Sequence, residues 1–204
     1  MKKTTILLTI PFLLFCYSAI SAETRGVTDD TIKMGHLTAD TGPIAKDSQS
    51  LTEGARNYIR YINQEGGING RKIELVAEDS GYSIPRAISA FKKLLYRDKV
   101  LTFVGPTSTG ESTALFSQVA KEKVVIIPFS GSETMAKPFK RYVFGFTLTY
   151  QDAIKILFDY AIEDLKTKNA KMAIVYPDVE FGKVGLKEAE DRQRYMGLNS
   201  MRKY

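Results

Sequence analysis

The sequence predicts an α/β fold built on a doubly wound parallel sheet. Three observations carry that prediction. Short apolar runs alternate with segments of helical periodicity from Thr31 onward; two of those runs are continuously apolar, as in strands covered on both faces; and the loops that follow the runs are rich in Gly, Ser, Thr and Asp.

The elements follow in order. Ile32 opens a short strand over 32–37, and a helix is expected over 49–65, with Leu51, Ala55, Tyr58, Ile59 and Ile62 at spacings of three and four. Gly66-Gly67 supplies its C-terminal stop. Residues 72–78 alternate apolar and polar through Ile73, Leu75 and Ala77, a second strand. A helix over 84–97 carries Pro85 in its first turn and Ala87, Ile88, Phe91, Leu94 and Leu95 on one face. The runs 101–104 and 124–127, separated by a helix near 111–121, are the two continuously apolar strands. A further strand is expected over 141–144, then a helix over 152–165, a strand over 171–176 and a helix over 182–195, with the chain entering another strand at Tyr204. Residues 147–150 are the candidate crossover between two groups of elements.

The N-terminus reads as an export signal over 1–22. Lys2 and Lys3 precede an apolar run over 6–15, and the small residues Ser18, Ala19, Ser21 and Ala22 precede Glu23. The run is shorter than the ~20 apolar residues that span a bilayer. Processing therefore starts the mature chain at Ala22 or Glu23. Cys16, the single cysteine, falls inside the signal; lipidation there is disfavoured by the bulky Phe15 before it. The net charge of +6 is scattered with no block of like sign, which argues against a nucleic-acid arm.

Enzyme chemistry finds little material. Gly105-Pro106-Thr107-Ser108-Thr109-Gly110-Glu111-Ser112 sits between a strand and a helix as a phosphate-binding loop does, but Glu111 occupies the place of the lysine that neutralises the phosphates. There is one histidine, His36, within a strand; no Gly-x-Ser-x-Gly turn; and no Gly-x-Gly-x-x-Gly after the first strand. One histidine and no mature cysteine cannot assemble a His/Cys metal cluster. The reading is a protein that is not an enzyme and needs no cofactor. What survives is the loop's physics: amides at a helix N-terminus beside the hydroxyls of Thr107, Ser108 and Thr109 suit a carboxylate. Ligands of such a sheet bind beyond the carboxyl ends of its strands, where the loops 38–48, 79–83, 105–110 and 128–133 gather.

Thr41-Gly42-Pro43-Ile44-Ala45, Glu53-Gly54-Ala55, Ile62-Asn63, Gly66-Gly67-Ile68-Asn69-Gly70-Arg71, Asp79 with Pro85 and Ala87, Val104-Gly105-Pro106 with Ser108, and Ile127-Pro128 stand in an order and spacing similar to the periplasmic leucine/isoleucine/valine-binding protein family. The similarity runs over 32–197. It implies a type I periplasmic binding protein fold: a doubly wound first lobe over 23–146, then a crossover and part of a second α/β lobe over 147–204. It further implies the substrate-binding component of an ABC importer, which traps a branched-chain amino acid or related carboxylate between its lobes and hands it to an inner-membrane permease. The alternative with the same fold is the ligand-sensing domain of a receptor. By the resemblance, the ligand's carboxylate and amino groups would meet Thr107, Ser108 and Thr109, then Ser130 and Ser132, and Phe181 would close over it from the second lobe. Phenylalanine at that place lacks the hydroxyl common there. Family members run to nearly twice this length, so the expectation is a chain cut short on its C-terminal side and, as written, a poor binder.

Overall fold

A computed structural model describes residues 24–167, 171–198 and 201–204; the expected export signal and Cys16 lie outside them. Strands β1 (Thr31–Thr38), β2 (Lys72–Asp79), β3 (Thr102–Val104) and β4 (Val125–Ile127) form one sheet in the order β2-β1-β3-β4, parallel throughout. The connection from β1 runs outward to β2, and the next runs back across β1 to β3. That reversal is the switch point of a doubly wound sheet, and it places a crevice beyond the ends of β1 and β3. The register sets Thr38 beside Asp79, His36 beside Val104, and Val104 beside Ile127, so the four following loops share one edge.

Helices α1 (Ala45–Gln64), α2 (Ile84–Lys92) and α3 (Thr109–Glu122) cover the sheet. Right-handed crossovers dictate the faces: α1 packs on β1 and β2, while α2 and α3 pack on each other. The core lies beneath α2 and α3, where Leu37, Phe91, Leu94, Leu95, Phe103, Leu115, Val119 and Ile126 are buried. The Phe91 and Phe103 rings stack there at 4.6 Å between centroids. A wide π-turn, Lys93–Arg97, ends α2 and keeps Leu94 and Leu95 inside.

Helix α1 begins four residues before the expected 49, and its sheet-facing stripe differs from the sequence reading. Ser48 and Thr52 are its buried residues, whereas Leu51 and Tyr58 are exposed. The polar pair is drawn inward by bonding: Ser48 Oγ accepts the Ala39 amide at 2.8 Å and donates to Asp40 at 2.9 Å, and Thr52 donates to Asp40 at 2.9 Å. The strand expected over 141–144 is corrected to a single bridge, Val143 beside Ile126. Val143 is the buried residue of the run, while Arg141 and Phe144 face solvent.

The remaining elements form a second, smaller group. Helix α4 (Tyr150–Asp159) continues into a π-turn, Tyr160–Asp164; β5 (Ala173–Ile174) and β6 (Arg202–Lys203) pair in parallel; and α5 (Glu180–Tyr195) packs on α4. The strand expected over 171–176 contracts to β5, and β6 stands where a further strand was expected. Thr149 caps α4 by accepting the Asp152 amide at 3.0 Å. Phe158, Ala189 and Met201 make this group's own core, and Arg192 pairs with Asp159 across the helices.

Candidate functional site

The N-terminus of α3 is the centre of the crevice. Ser108, in extended backbone, caps the helix: its Oγ accepts the Glu111 amide at 3.3 Å. Ahead of it, Gly105 sits at φ +93° with its α-carbon against the Leu37 carbonyl, where a Cβ would lie 2.3 Å from that oxygen. This close approach lets β3 turn directly into the helix. The amides of Thr109 and Gly110, as first-turn amides, have no intrahelical carbonyl behind them.

The six residues expected at the site separate into three situations. Ser108 and Phe181 line one cavity of about 510 Å³, together with Tyr82, Ile84, Gly110, Thr113, Ala114, Val179 and Glu180. Thr109, Ser130 and Ser132 form a buried hydroxyl cluster: Thr109 Oγ1 and Ser130 Oγ are 2.9 Å apart, Ser130 Oγ accepts the Ser132 amide at 3.2 Å, and Ser132 Oγ lies 2.8 Å from Thr134 Oγ1. Thr107 is half-buried, and its enclosed Oγ1 has no hydrogen-bond partner among the described residues.

What covers the hydroxyl cluster is the segment entering α4. The Tyr150 amide donates to the Gly131 carbonyl at 2.8 Å, and a Cβ on Gly131 would lie 2.6 Å from Leu148 O and 2.8 Å from the Tyr150 ring. Glycine at 131 is what allows this contact. The Tyr150 ring in turn meets Phe181 edge-on at 5.0 Å, and Phe181 is 43% exposed.

Two flanking loops are fixed by a carboxylate. Asp79 accepts from Thr41 Oγ1 at 2.5 Å, the Gly81 amide at 3.0 Å, the Thr41 amide at 3.2 Å and Arg86 at 3.2 Å, tying the loop after β1 to the turn after β2. Burial raises its pKa, but the donors outweigh it and hold the carboxyl below its usual value. In that turn Tyr82 adopts a left-handed backbone, φ +63°, with its phenol against Ser108. His36 is structural: Nδ1 donates to the Val104 carbonyl at 3.1 Å, Nε2 lies 3.3 Å from Thr52, and the ring meets Phe129 edge-on.

Glu111, in the place a phosphate-binding lysine would hold, is fully buried, and neither carboxyl oxygen has a partner among the described residues. Ser80 lies beside it, but the Ser80 hydroxyl gives its one proton to the Thr38 carbonyl at 2.8 Å and cannot also donate to Glu111. Burial pushes the Glu111 carboxyl up. Sequence reasoning pointed to the loops 79–83 and 128–133 that hold Tyr82 and Gly131 without singling out either residue, and it missed Ile84 and Tyr150. The Asp79-Ser80-Gly81 turn signal ahead of it was the local hint for Tyr82. No group of three or more His, Cys, Asp and Glu among the described residues is placed to hold a metal ion.

A parallel doubly wound sheet of this order carries a crevice at its switch point, the place where such sheets bind ligands. The chain belongs to the periplasmic binding protein family, which it matches over residues 31–201. It is 25% identical to a Leu/Ile/Val-binding protein homologue of Brucella melitensis over 160 residues, 78% of this chain and 42% of that protein. Among solved structures it is similar to a fatty acid ABC transporter substrate-binding protein from Thermomonospora curvata, with TM-score 0.80, 27% identity, and coverage of 89% of this chain and 46% of that one. It is also similar to a branched-chain amino acid transporter substrate-binding protein from Streptococcus pneumoniae in complex with isoleucine, with TM-score 0.74, 28% identity, and coverage of 85% and 49%. The chain spans between 42 and 49% of the length of the curated relatives it matches.

Proposed function

We propose that this chain is the substrate-binding component of a periplasmic ABC importer, taking branched-chain amino acids or related small carboxylates and delivering them to an inner-membrane permease. The observation that carries the reading is the α3 N-terminus: the first-turn amides of Thr109 and Gly110 without intrahelical partners, the Ser108 hydroxyl at the cavity wall, and the Thr109–Ser130–Ser132 cluster behind it. Helix amides and hydroxyls without a facing cation suit a carboxylate. Isoleucine and fatty acid, named for the two structural relatives, share a carboxylate and an apolar tail. The two groups of elements act as lobes, the first over 23–146 and the second beginning at 147. A ligand docks at Ser108 and the amides, and its carboxylate reaches Thr109 and Ser132 when the 148–150 segment moves off Gly131.

The test is ligand-observed NMR and calorimetry with leucine, isoleucine, valine and, as a control without a carboxylate, leucinamide. Leucine binds and leucinamide does not; Thr109→Ala or Ser132→Ala weakens leucine by about 1–3 kcal/mol, the range for hydrogen bonds to a charged group. Equal binding of leucine and leucinamide, or unchanged leucine affinity in both variants, moves the site elsewhere.

A further inference from the structure

The cavity beside Ser108 is larger and more aromatic than a branched aliphatic side chain requires. Its volume of about 510 Å³ lies within the range of roughly 300–1,000 Å³ for small-molecule sites and is several times that of an isobutyl group. Its walls come from both groups of elements: Tyr82, Ile84 and Ala114 on one side, Val179 and Phe181 on the other. Between them Gly110 keeps the floor low, since a Cβ there would already stand 3.3 Å from Ile84 Cδ1 and 3.7 Å from Glu180 Cβ. Glu180 is the one charged residue of the lining and sits on the exposed side.

Tyr82 is held in place rather than left at a loop tip. Its left-handed backbone is costly for a bulky residue and persists only where surrounding bonds over-determine it. Here the Tyr82 amide donates to Ser80 Oγ at 3.2 Å, the Ser83 amide donates to the Ser80 carbonyl at 3.2 Å, and Asp79 binds the Gly81 amide. The result is a half-buried side chain whose phenol meets the helix-capping hydroxyl and which lines the cavity, with Phe181 among the lining of the other wall. Aromatic rings favour offset or edge-on neighbours, and two rings lining one cavity favour a third between them.

We infer that the preferred ligand is a carboxylate bearing an aromatic ring, seated between Tyr82 and Phe181, and that Tyr82 is the residue that selects it over branched aliphatic side chains. This rests on the carboxylate reading above and adds the tail. The two separate in one experiment: calorimetry and saturation-transfer NMR on the 204-residue chain with L-phenylalanine, 3-phenylpropionate, L-leucine and phenylalaninamide. Both aromatic carboxylates bind about tenfold more tightly than leucine. Tyr82→Ala removes that preference by weakening the aromatic carboxylates more than leucine, and Tyr82→Phe, which keeps the ring, retains it. Leucine equal to or tighter than phenylalanine overturns the aromatic tail and leaves the carboxylate reading standing. Phenylalaninamide equal to phenylalanine overturns the carboxylate reading while the ring preference stands. A preference that survives in Tyr82→Ala overturns the assignment to Tyr82, and no binding of any of the four at millimolar concentration overturns both readings.

Discussion

Replacing Glu111 by glutamine should stabilise the protein, and more so at alkaline than at acid pH. Glu111 is the third residue of α3, fully buried, with both carboxyl oxygens unpartnered among the described residues. Two effects oppose each other when it is charged. Its position in the first turn favours a negative charge by about 0.3–1 kcal/mol through the helix dipole. An unsatisfied buried polar group costs about 1–3 kcal/mol, and more when it is ionised. The penalty wins, which is why burial raises the carboxyl above its ordinary value, with Asp79 adding to the rise and Arg86 opposing it. The folded state then holds a proton that the unfolded state releases, so Glu111's contribution to stability falls as pH rises from 4.5 through the raised value. Glutamine keeps the shape without the charge, and its N–H can donate to Ser80 Oγ, which accepts only the Tyr82 amide and donates to Thr38. The expected gain is about 1–2 kcal/mol near pH 8, the penalty less the lost dipole contribution, shrinking toward nothing near pH 5. Urea unfolding followed by far-ultraviolet circular dichroism at both pH values measures it. A variant less stable than the parent near pH 8, or a gain equal at both, refutes the reasoning.

Two further outcomes test the frame around the site. Gly105→Ala places a Cβ on the Leu37 carbonyl in a left-handed backbone and should cost about 2–4 kcal/mol in the same unfolding assay; a loss under about 0.5 kcal/mol would mean the turn is not held there. His36 should titrate below 6.5, since burial lowers its pKa, outweighing the Val104 carbonyl and Asp40 that raise it, with Arg56 lowering it further. Its stabilising contribution is then present above 6.5 and lost as pH falls through the lowered value, because the unfolded chain takes up the proton first. As it is the only histidine, its ring resonances report on it alone, and a midpoint at or above 6.5 contradicts the burial argument.

The sequence by itself determined the alternation of strands and helices, the apolar strands at 101–104 and 124–127, and the polar character of the loops that follow the strands. Each of these is written in local periodicity, which records how often a residue must turn toward the core. Periodicity also misled where it recorded a side chain's polarity but not its bonds. Ser48 and Thr52 took the inner face of α1 because Asp40 and the Ala39 amide needed donors and acceptors there, and the 141–144 run met a single residue of the sheet, Ile126, in one bridge. The hydroxyls of Ser108, Thr109, Ser130 and Ser132 were legible as candidates, but their division into a cavity wall and a covered cluster was not. Only the tertiary structure decided that Tyr150 would lie on Gly131, that Tyr82 would meet Ser108, and that Glu111 would be buried without a partner. These are meetings between residues far apart in the chain. They follow from strand order and crossover hand, which bring separate loops to one edge, and no short window of sequence contains both partners.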